Sequence, residues 1–354
     1  MTDLTPLLVY GAYGYTGRLV VREALDVGLR PILAGRDARQ LSELSAQTGL
    51  PFHAAALDGG GALAATLEGV RVVLNCAGPF SQTAAPVVAA CLARGAHYLD
   101  ITGEIPVFEA MAALDREARA RGVTLLPGVG FDVVPSDCLA AHVARRLPDA
   151  THLALAFRAL GGLSRGTAAT AAENAGEGGA VRRDGVITRV PAGWRTRRID
   201  FGDGRPSLAV TIPWGDVSTA WHSTGIPNIE VYMAMTAGMR RALVMSRWLG
   251  GVLALPPIRR WLVARAKSRR PGPSDASRAR GESRLWAEAR NGSGEVVVSR
   301  LVAPEGYTLT ARTAIAAARR VLAGDVPVGF QTPSRAFGAD FILEQRGVRR
   351  EDVV

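Results

Sequence analysis

The chain has 354 residues, 48% of them hydrophobic and 21% charged, which is enough apolar material to bury one large core or two joined cores. Its formal net charge is +10, and of its 42 basic residues only Lys267 is a lysine. Such a charge favours anionic partners: dinucleotide phosphates, an acidic carrier protein or a membrane surface. The sequence has no zinc-ligand spacing and no RNA-binding aromatic motif, so we expect no nucleic acid partner.

Cysteine usage and the N-terminal pattern bear on the compartment. Cys76, Cys91 and Cys138 lie far apart and form no CxxC motif, which argues against a disulfide framework and against a metal site. The N-terminal stretch has no basic region followed by a separate apolar segment, so no secretory signal is predicted. We expect a cytoplasmic protein without a metal, with attachment to a membrane surface left open.

Residues 7–131 alternate short β-rich runs with helical patterns. The predicted strands, in chain order, are LLVYG, RPILAG, FHAAALD, VRVVLNCAG, HYLDITG and VTLLPGVG. Strands that alternate with helices of this length pair in parallel and form a doubly wound sheet. The sequence therefore predicts an α/β fold in which residues 1–135 form a Rossmann-like domain.

A change of pattern near Pro135 marks a second domain, over residues 136–324. Longer strand-like runs follow there, THLALAFRAL, VITRVP, RRIDFG, LAVTIPW and NIEVYMAM, with one helical pattern, GTAATAAENAG. Asn291-Gly292, between two alternating runs, is a hairpin signal. We predict a mixed α+β domain for substrate binding and for a homodimer. The C-terminal helices, at about residues 325–354, are candidates to pack back on the first domain.

Residues 239–270 form a basic, apolar segment of one or two helices, broken at Pro256-Pro257. Six of its arginines lie among runs of Leu, Val, Met and Trp: Arg240, Arg241, Arg247, Arg259, Arg260 and Arg265. This pattern suits a membrane surface, an acyl-chain tunnel or an acidic carrier protein. The alternative is a helical core face with solvated arginines.

A glycine-rich turn follows the first predicted strand and opens a helical pattern, which is the context of a dinucleotide-binding fingerprint. The spacing is GxxGxxG, with a glycine for the tight turn, one for close approach of the pyrophosphate and one for packing of helix against strand. The predicted binding residues of the turn are Gly11, Tyr13, Gly14, Tyr15, Thr16 and Gly17. The pyrophosphate would lie at the helix N-terminus.

The second strand indicates which dinucleotide binds. NAD enzymes place Asp or Glu at its end to hold the ribose 2′-hydroxyl, whereas this chain has Gly35-Arg36. A guanidinium there pairs with a 2′-phosphate, so the sequence predicts NADP(H), while Asp37 caps the next helix. Further on, Asp58 is predicted to face the adenine. The loop after the fourth strand is predicted to pass the nicotinamide ribose, with Asn75, Cys76, Ala77, Gly78 and Pro79.

Five segments occur together in a characteristic order: GAYGYTGRL, AGRD, NCAGPF, HYLDITGE and PGVGFDVVPSD. They resemble the saccharopine dehydrogenase-like oxidoreductases, and within them the trans-acting enoyl reductases of polyketide lipid synthesis and a eukaryotic lipid-associated relative. The specific matches cover about the first 140 residues, with TPSRAFGADFI near the C-terminus. The resemblance implies the fold and NADP dependence and leaves the substrate open.

Catalysis of hydride transfer needs a proton donor beside the cofactor. A Tyr-x-x-x-Lys pair is excluded, because Lys267 has Val263 four residues before it. Tyr98, Asp100 and Asp132 are the predicted catalytic residues, since they follow parallel strands and a partly buried carboxyl can hold a proton. Further candidates are Glu104, Ser136, Asp137 and His222. The alternative is that these acids cap helices and connect elements.

These observations favour an NADPH-dependent reductase of an activated C=C bond in an acyl substrate. A second interpretation is a C=N or C=O reductase for an amino-acid-like compound, with substrate carboxylates on Arg158, Arg165 and Arg182. A third is a non-catalytic NADP-binding sensor or lipid-surface scaffold. The absence of a recognisable proton donor is its main support.

Overall fold

The computed structural model describes residues 5–57, 61–159, 178–253, 255–268 and 272–354. Three earlier predictions, Asp58, Arg165 and the helical pattern at 166–176, lie outside these residues. The chain divides into two units. The first comprises Met1–Asp132 and Tyr307–Phe337, and the second Val133–Gly306 and Gly338–Val354.

The first unit is built on a parallel sheet. Its strands from the N-terminal part are β1 (Leu7–Tyr10), β2 (Ile32–Gly35), β3 (Phe52–Ala54), β4 (Val72–Asn75), β5 (His97–Asp100) and β6 (Thr124–Leu126). The helices between them are α1 (Tyr15–Asp26), α2 (Ala38–Thr48), α3 (Gly61–Ala65), α4 (Phe80–Arg94), α5 (Ile105–Ala113) and α6 (Asp115–Ala120). With β15 (Gly329–Phe330), the strand order is β15-β6-β5-β4-β1-β2-β3. This is the predicted Rossmann-like arrangement.

The apolar strands of this sheet are buried because helices cover them. All four residues of β1 are buried, as are all four of β4, which is typical of parallel strands with both faces covered. In α1 the buried residues follow a helical period: Gly17, Leu19, Val20, Val21 and Ala24. The sequence pattern thus holds the glycine turn between a rigid strand and a rigid helix.

A C-terminal segment completes this unit. It contains α12 (Gly306–Ala323), β15 and α13 (Pro333–Phe337). β15 pairs in parallel with β6, and its Phe330 N–H donates to Asp115 Oδ1 at 2.7 Å. The sequence interpretation placed residues up to 324 in the second domain, whereas residues 307–337 lie in the first unit. The return to the first domain, expected at about residue 325, thus begins at residue 307, and residues 338–354 belong to the second unit.

The second unit contains a large mixed sheet. Its strands are β7 (Ala150–Ala159), β8 (Gly179–Arg183), β9 (Val186–Val190), β10 (Thr196–Ile199), β11 (Ser207–Thr211), β12 (Asn228–Ala234), β13 (Glu282–Asn291), β14 (Val296–Pro304) and β16 (Arg349–Asp352). The order along its main path is β10-β11-β12-β7-β13-β14-β16, and β8 joins β12 to β9. β12 and β7 pair in parallel, whereas β13 and β14 form the predicted antiparallel hairpin. The mixed α+β class is confirmed.

Helices of the second unit are α7 (Val134–Arg146), α8 (Asp216–Thr224), α9 (Ala237–Leu253), α10 (Pro256–Lys267) and α11 (Asp275–Arg280). The helical segment predicted at 239–270 forms two helices, α9 and α10, and Pro256-Pro257 are the first two residues of α10. Within the described ranges, no helix is long and apolar enough to cross a membrane.

The last predicted helix needs correction. The run PSRAFGADFILEQRG gives only α13 and a 3-10 turn at Phe341–Glu344, and the chain then forms β16. Gly338, with φ of +87°, ends α13, because that backbone conformation cannot continue a right-handed helix.

Candidate functional site

The glycine turn between β1 and α1 has the geometry of a phosphate-binding loop. Gly11 has φ of +79°, which favours glycine, and its N–H donates to Ala34 O at 2.8 Å. A Cβ on Gly11 would lie 2.9 Å from the backbone N of Ala77, so the turn touches the loop after β4 directly. Only glycine therefore fits here.

The other two glycines of the turn have different surroundings. A Cβ on Gly17 would lie 2.2 Å from Gly11 O, so Gly17 is needed for α1 to pack on the turn. A Cβ on Gly14 would meet only Gly11 O, at 3.2 Å. Gly14 precedes α1 without a side-chain cap, and the first turn of α1 has no acidic residue. The helix N-terminus is thus suited to an anion.

The end of β2 presents a guanidinium. Tyr13 packs against Gly35, where a Cβ would lie 2.6 Å from the Tyr13 Cε1 atom. The next residue, Arg36, is exposed and forms no ion pair with the described part of the chain. Asp37 points instead into α2, where its carboxylate accepts from the Gln40 backbone N–H at 3.1 Å and from Gln40 Nε2 at 2.7 Å. The Gln40 hydrogen bonds lower the pKa of Asp37, as expected for a helix cap.

The loop after β4 is held by Asn75. The side-chain oxygen of Asn75 accepts from Ala77 N–H at 3.0 Å, and its amide donates to Thr83 Oγ1 at 3.2 Å and to Tyr98 Oη at 3.3 Å. Thr83 in turn donates to Ala77 O at 2.6 Å. Cys76 is half-buried, and burial raises the pKa of its thiol. These contacts fix the backbone of residues 75–79, which includes Gly78 and Pro79.

Two of the predicted catalytic residues, Tyr98 and Asp100, are completely buried. Tyr98 Oη donates to Asp100 Oδ2 at 2.7 Å, and Asp100 Oδ1 accepts from the backbone N–H groups of Thr102 and Gly128, at 3.0 and 2.9 Å. Burial raises the pKa of Asp100 to about 6 and raises that of Tyr98 well above its usual value. In this geometry they position the loops after β4, β5 and β6.

Glu104 connects two further elements. Its Oε1 accepts from the Phe80 N–H at 2.8 Å and its Oε2 from the Ser81 N–H at 2.9 Å. A carboxylate that lies 24 residues further along the chain thereby caps the N-terminus of α4. The sequence identified Glu104 as a candidate proton donor, but its oxygens are engaged as acceptors.

Asp132 has the electrostatic character of a proton donor. It lies beyond the carboxyl end of β6, and its Oδ2 would be 2.9 Å from a Cβ placed on Gly103, beyond β5. Burial raises the pKa of Asp132 to about 7, and the negative charge of Glu104 adds to the shift. The carboxyl ends of the parallel strands meet at one edge of the sheet, so Asp132 shares that edge with the glycine turn and Arg36.

The raised pKa of Asp100 predicts a pH-dependent stability. The folded state holds this proton more tightly than the unfolded state, where the carboxyl pKa is near 3.8. The stabilisation is therefore complete at low pH and is lost as pH rises through about 6, by up to roughly 3 kcal/mol. Urea unfolding of Asp100→Asn from about pH 4.5 to 8 should lose this component, whereas exposed Asp325→Asn keeps the wild-type slope. Equal slopes for wild type and Asp100→Asn would contradict the assignment.

The remaining candidates lie in the second unit. Ser136 donates to Asp216 Oδ2 at 2.9 Å, and Ser223 donates to Asp137 Oδ1, so α7 and α8 are joined by buried hydrogen bonds. His222 lies on α8. No cluster of metal-ligating side chains occurs in the part of the chain that the structure describes.

Sequence reasoning missed the contribution of α12. Thr310 Oγ1 accepts from the Phe131 N–H at 3.0 Å, and Thr313 Oγ1 donates to Val129 O at 2.8 Å. Tyr307 packs edge-on against Tyr15, with ring centroids 5.1 Å apart. These residues hold both the segment that leads to Asp132 and the first turn of α1. No local motif marks them, because their partners lie about 180 or more residues away.

The glycine turn and the strand order agree with a family of known sequences. Residues 7–126 match the model of the saccharopine dehydrogenase NADP-binding domain. The matched residues lie within the first unit. Its cofactor is NADP(H), and the predicted resemblance to saccharopine dehydrogenase-like oxidoreductases is confirmed. The turn, the clear helix N-terminus and the available Arg36 fit this dinucleotide.

Individual relatives are similar to this chain over less than half of their own length. A trans-acting enoyl reductase of Mycobacterium leprae is 32% identical over 40% of this chain and 36% of its own length. A human saccharopine dehydrogenase-like oxidoreductase is 30% identical over 37% of this chain and 35% of its own length. The apo saccharopine dehydrogenase (L-Glu forming) of Saccharomyces cerevisiae superposes with a TM-score of 0.66 over 98% of this chain and 99% of its own, at 13% identity. That structure shares the fold.

Proposed function

We propose that the protein is an NADPH-dependent reductase of an activated C=C bond in an acyl substrate. The observation that carries the proposal is a carboxyl with a pKa of about 7, Asp132, at the sheet edge that holds the glycine turn and Arg36. The relative named a trans-acting enoyl reductase supports the choice of bond.

The reaction adds two hydrogens across the bond. NADPH held by the glycine turn and Arg36 would supply the hydride for the β-carbon of the enoyl group and would be oxidised to NADP⁺. Negative charge then develops on the acyl carbonyl, and one proton must reach the α-carbon. Asp132 supplies that proton, because its pKa of about 7 leaves about half of the carboxyl groups protonated at neutral pH. A solvent proton restores the acid.

Other residues of this edge have positioning roles. Asn75, Tyr98 and Asp100 fix the loops around the site through their hydrogen bonds. Glu104 orders α4 and, through its charge, helps to keep Asp132 protonated. Pre-set loops of this kind hold the reactants without reorganisation during the reaction.

Two of the three arginines considered for an amino-acid-like substrate, Arg158 and Arg182, form hydrogen bonds within the second unit, and Arg165 lies outside the described residues. Arg158 donates to Asp203 Oδ2 at 2.6 Å and to Ser207 Oγ at 3.1 Å. Arg182 donates to the carbonyl oxygens of Val217 and Gly185, at 2.8 and 2.6 Å. A C=C substrate needs neither guanidinium, so these contacts favour the acyl reductase.

The test is NADPH oxidation by enoyl thioesters of graded chain length, with mass spectrometry to detect gain of two hydrogens. We expect Asp132→Asn to lower kcat about 100-fold with little change in NADPH affinity. We also expect wild-type activity to fall as pH rises through about 7, since Asp132 then ionises. The matched control, Asp325→Asn, should behave as wild type.

Three results would overturn parts of the proposal. Tight NADPH binding without oxidation by any acceptor would favour a non-catalytic sensor. Oxidation by imines or ketones alone would favour the amino-acid-type reductase. Unchanged kcat and pH profile in Asp132→Asn would remove Asp132 as the proton donor.

A further inference from the structure

We infer that the paired helices α9 and α10 dock on the anionic headgroups of a lipid membrane and lie along its surface. Their basic helical face consists of the exposed residues Met239, Arg241, Met245, Arg260, Trp261 and Arg265, together with Leu255 in the connection between the helices. The inference concerns where the protein resides and is independent of the reaction proposed above.

The charge of this segment is one-sided. Residues 231–274 contain nine basic residues and no acidic residue, although the chain has 32 Asp and Glu. At the frequency of acids elsewhere, a stretch of this length would contain several. A solvated surface helix usually interleaves both signs, because opposite charges three or four residues apart support one another. A basic stretch that contains no acidic residue is instead complementary in charge to an anionic surface.

Large apolar side chains are exposed among these charges. Trp261 is 62% exposed, Met245 64%, Met239 54% and Leu255 48%. Scattered exposed apolar residues are ordinary, but three of these four belong to one pair of contacting helices, and Leu255 lies in the connection between them. Trp and Met favour the boundary between headgroups and acyl chains, where their apolar parts leave water.

The exposed residues of α10 lie on one face of the helix. Pro257, Arg260, Trp261, Arg265 and Ser268 are exposed at intervals of three or four residues. Ile258, Leu262 and Val263 are half-buried. Trp261 therefore has arginines one residue before it and one helical turn after it. Long basic side chains in such positions reach lipid phosphates while the ring enters the interface.

Helix α9, which carries part of the basic helical face, packs on other residues of the second unit. Leu243 of α9 packs on the turn at Gly193, where a Cβ would lie 3.3 Å from the Leu243 Cδ2 atom. Leu243 and Val244 are half-buried, whereas Arg241 and Met245 on either side of them are exposed. One face of α9 thus packs on protein while another stays exposed.

A lipid surface explains the positive charge and the exposed apolar side chains together better than an acidic carrier protein does. Recognition of a folded acidic partner requires the arginines but not several exposed apolar side chains along both helices. Insertion at a membrane interface uses both, since the buried apolar area and the attraction to anionic lipid add together.

The experiment is flotation of the full-length protein with vesicles of phosphatidylcholine alone or with about 30% phosphatidylglycerol. We expect binding only to the anionic vesicles and reduced binding at high salt. Arg260→Glu/Arg265→Glu should weaken binding at least about tenfold, and Trp261→Ala should weaken it less. Arg116→Glu/Arg205→Glu makes the same charge change at exposed arginines elsewhere and should bind as wild type.

Several outcomes would overturn the inference. The first is that the protein does not bind anionic vesicles. The second is that both double variants lose vesicle binding to the same extent. The third is that Arg260→Glu/Arg265→Glu binds the vesicles as wild type does. If an acidic acyl carrier protein binds instead and only the Arg260/Arg265 variant loses it, the face serves a protein partner. Dimerisation without lipid that Trp261→Ala abolishes would assign the face to a second copy of the chain. NADPH binding, measured in parallel, confirms that each variant is folded.

Discussion

Substitution of Gly14 by valine is expected to abolish tight NADPH binding while the protein remains folded. Within the protein a Cβ at this position meets only Gly11 O, at 3.2 Å, so the added methyl groups extend into the space where the pyrophosphate approaches α1. We expect the affinity to fall at least about 100-fold, which corresponds to roughly 2.8 kcal/mol. Calorimetric titration with NADPH and thermal unfolding without cofactor measure the two effects separately.

Two other glycines make this test specific. Gly292→Val, in the β13–β14 hairpin loop, adds the same side chain where no atom lies within 4 Å and should leave NADPH binding unchanged. Gly17→Ala should instead destabilise the first unit, because its Cβ would lie 2.2 Å from Gly11 O. Normal NADPH affinity in folded Gly14→Val would show that the pyrophosphate lies elsewhere.

Substitution of Arg36 by aspartate should reverse the cofactor preference from NADPH to NADH. The Arg36 guanidinium is exposed at the end of β2 and forms no ion pair with the described residues, so it is available to a 2′-phosphate. A carboxylate there repels that phosphate and accepts a hydrogen bond from the ribose 2′-hydroxyl. We expect NADPH affinity to fall about 100-fold and NADH affinity to rise, as measured by titration with both cofactors.

The neighbouring arginine provides the control. Arg39 is exposed on α2 and lies 3.9 Å from Glu43 on the same helix. Arg39→Asp makes the same change of charge three residues further along the chain, and we expect this variant still to prefer NADPH. Loss of selectivity in Arg39→Asp with none in Arg36→Asp would transfer the 2′-phosphate contact to Arg39.

The sequence was sufficient for the features that depend on local pattern. The period of apolar residues predicted six parallel strands, and the glycine spacing predicted the turn before α1, because a tight turn and close packing admit little else. The Asn291-Gly292 signal predicted the hairpin, for which the chain uses the longer connection 292–295. The match of residues 7–126 to an NADP-binding domain confirms the predicted cofactor, NADP(H).

Other features depend on partners distant in sequence. The environments of Tyr98, Asp100 and Asp132 differ although all three lie in a parallel strand or follow one. Asp100 has backbone N–H donors from two loops, whereas Asp132 has a carboxylate neighbour, and these partners cannot be read from the residues themselves. The support of α12 for residues 129–131 is equally hidden, since it depends on a long-range return of the chain.

That return has a consequence for synthesis on the ribosome. The parallel sheet lacks its edge strand β15 until residues 329–330 have emerged, and the second unit lacks β16 until residues 349–352 have emerged. Neither unit is continuous in the chain, so a nascent protein exposes unpaired strand edges during most of its translation. A fragment cut after Asp132 would lack α12 and β15, and removal of the last 17 residues, Gly338–Val354, would take β16 from the other sheet. Termination before residue 307 would therefore leave both units incomplete, whereas termination directly after Phe337 would leave only the second unit incomplete.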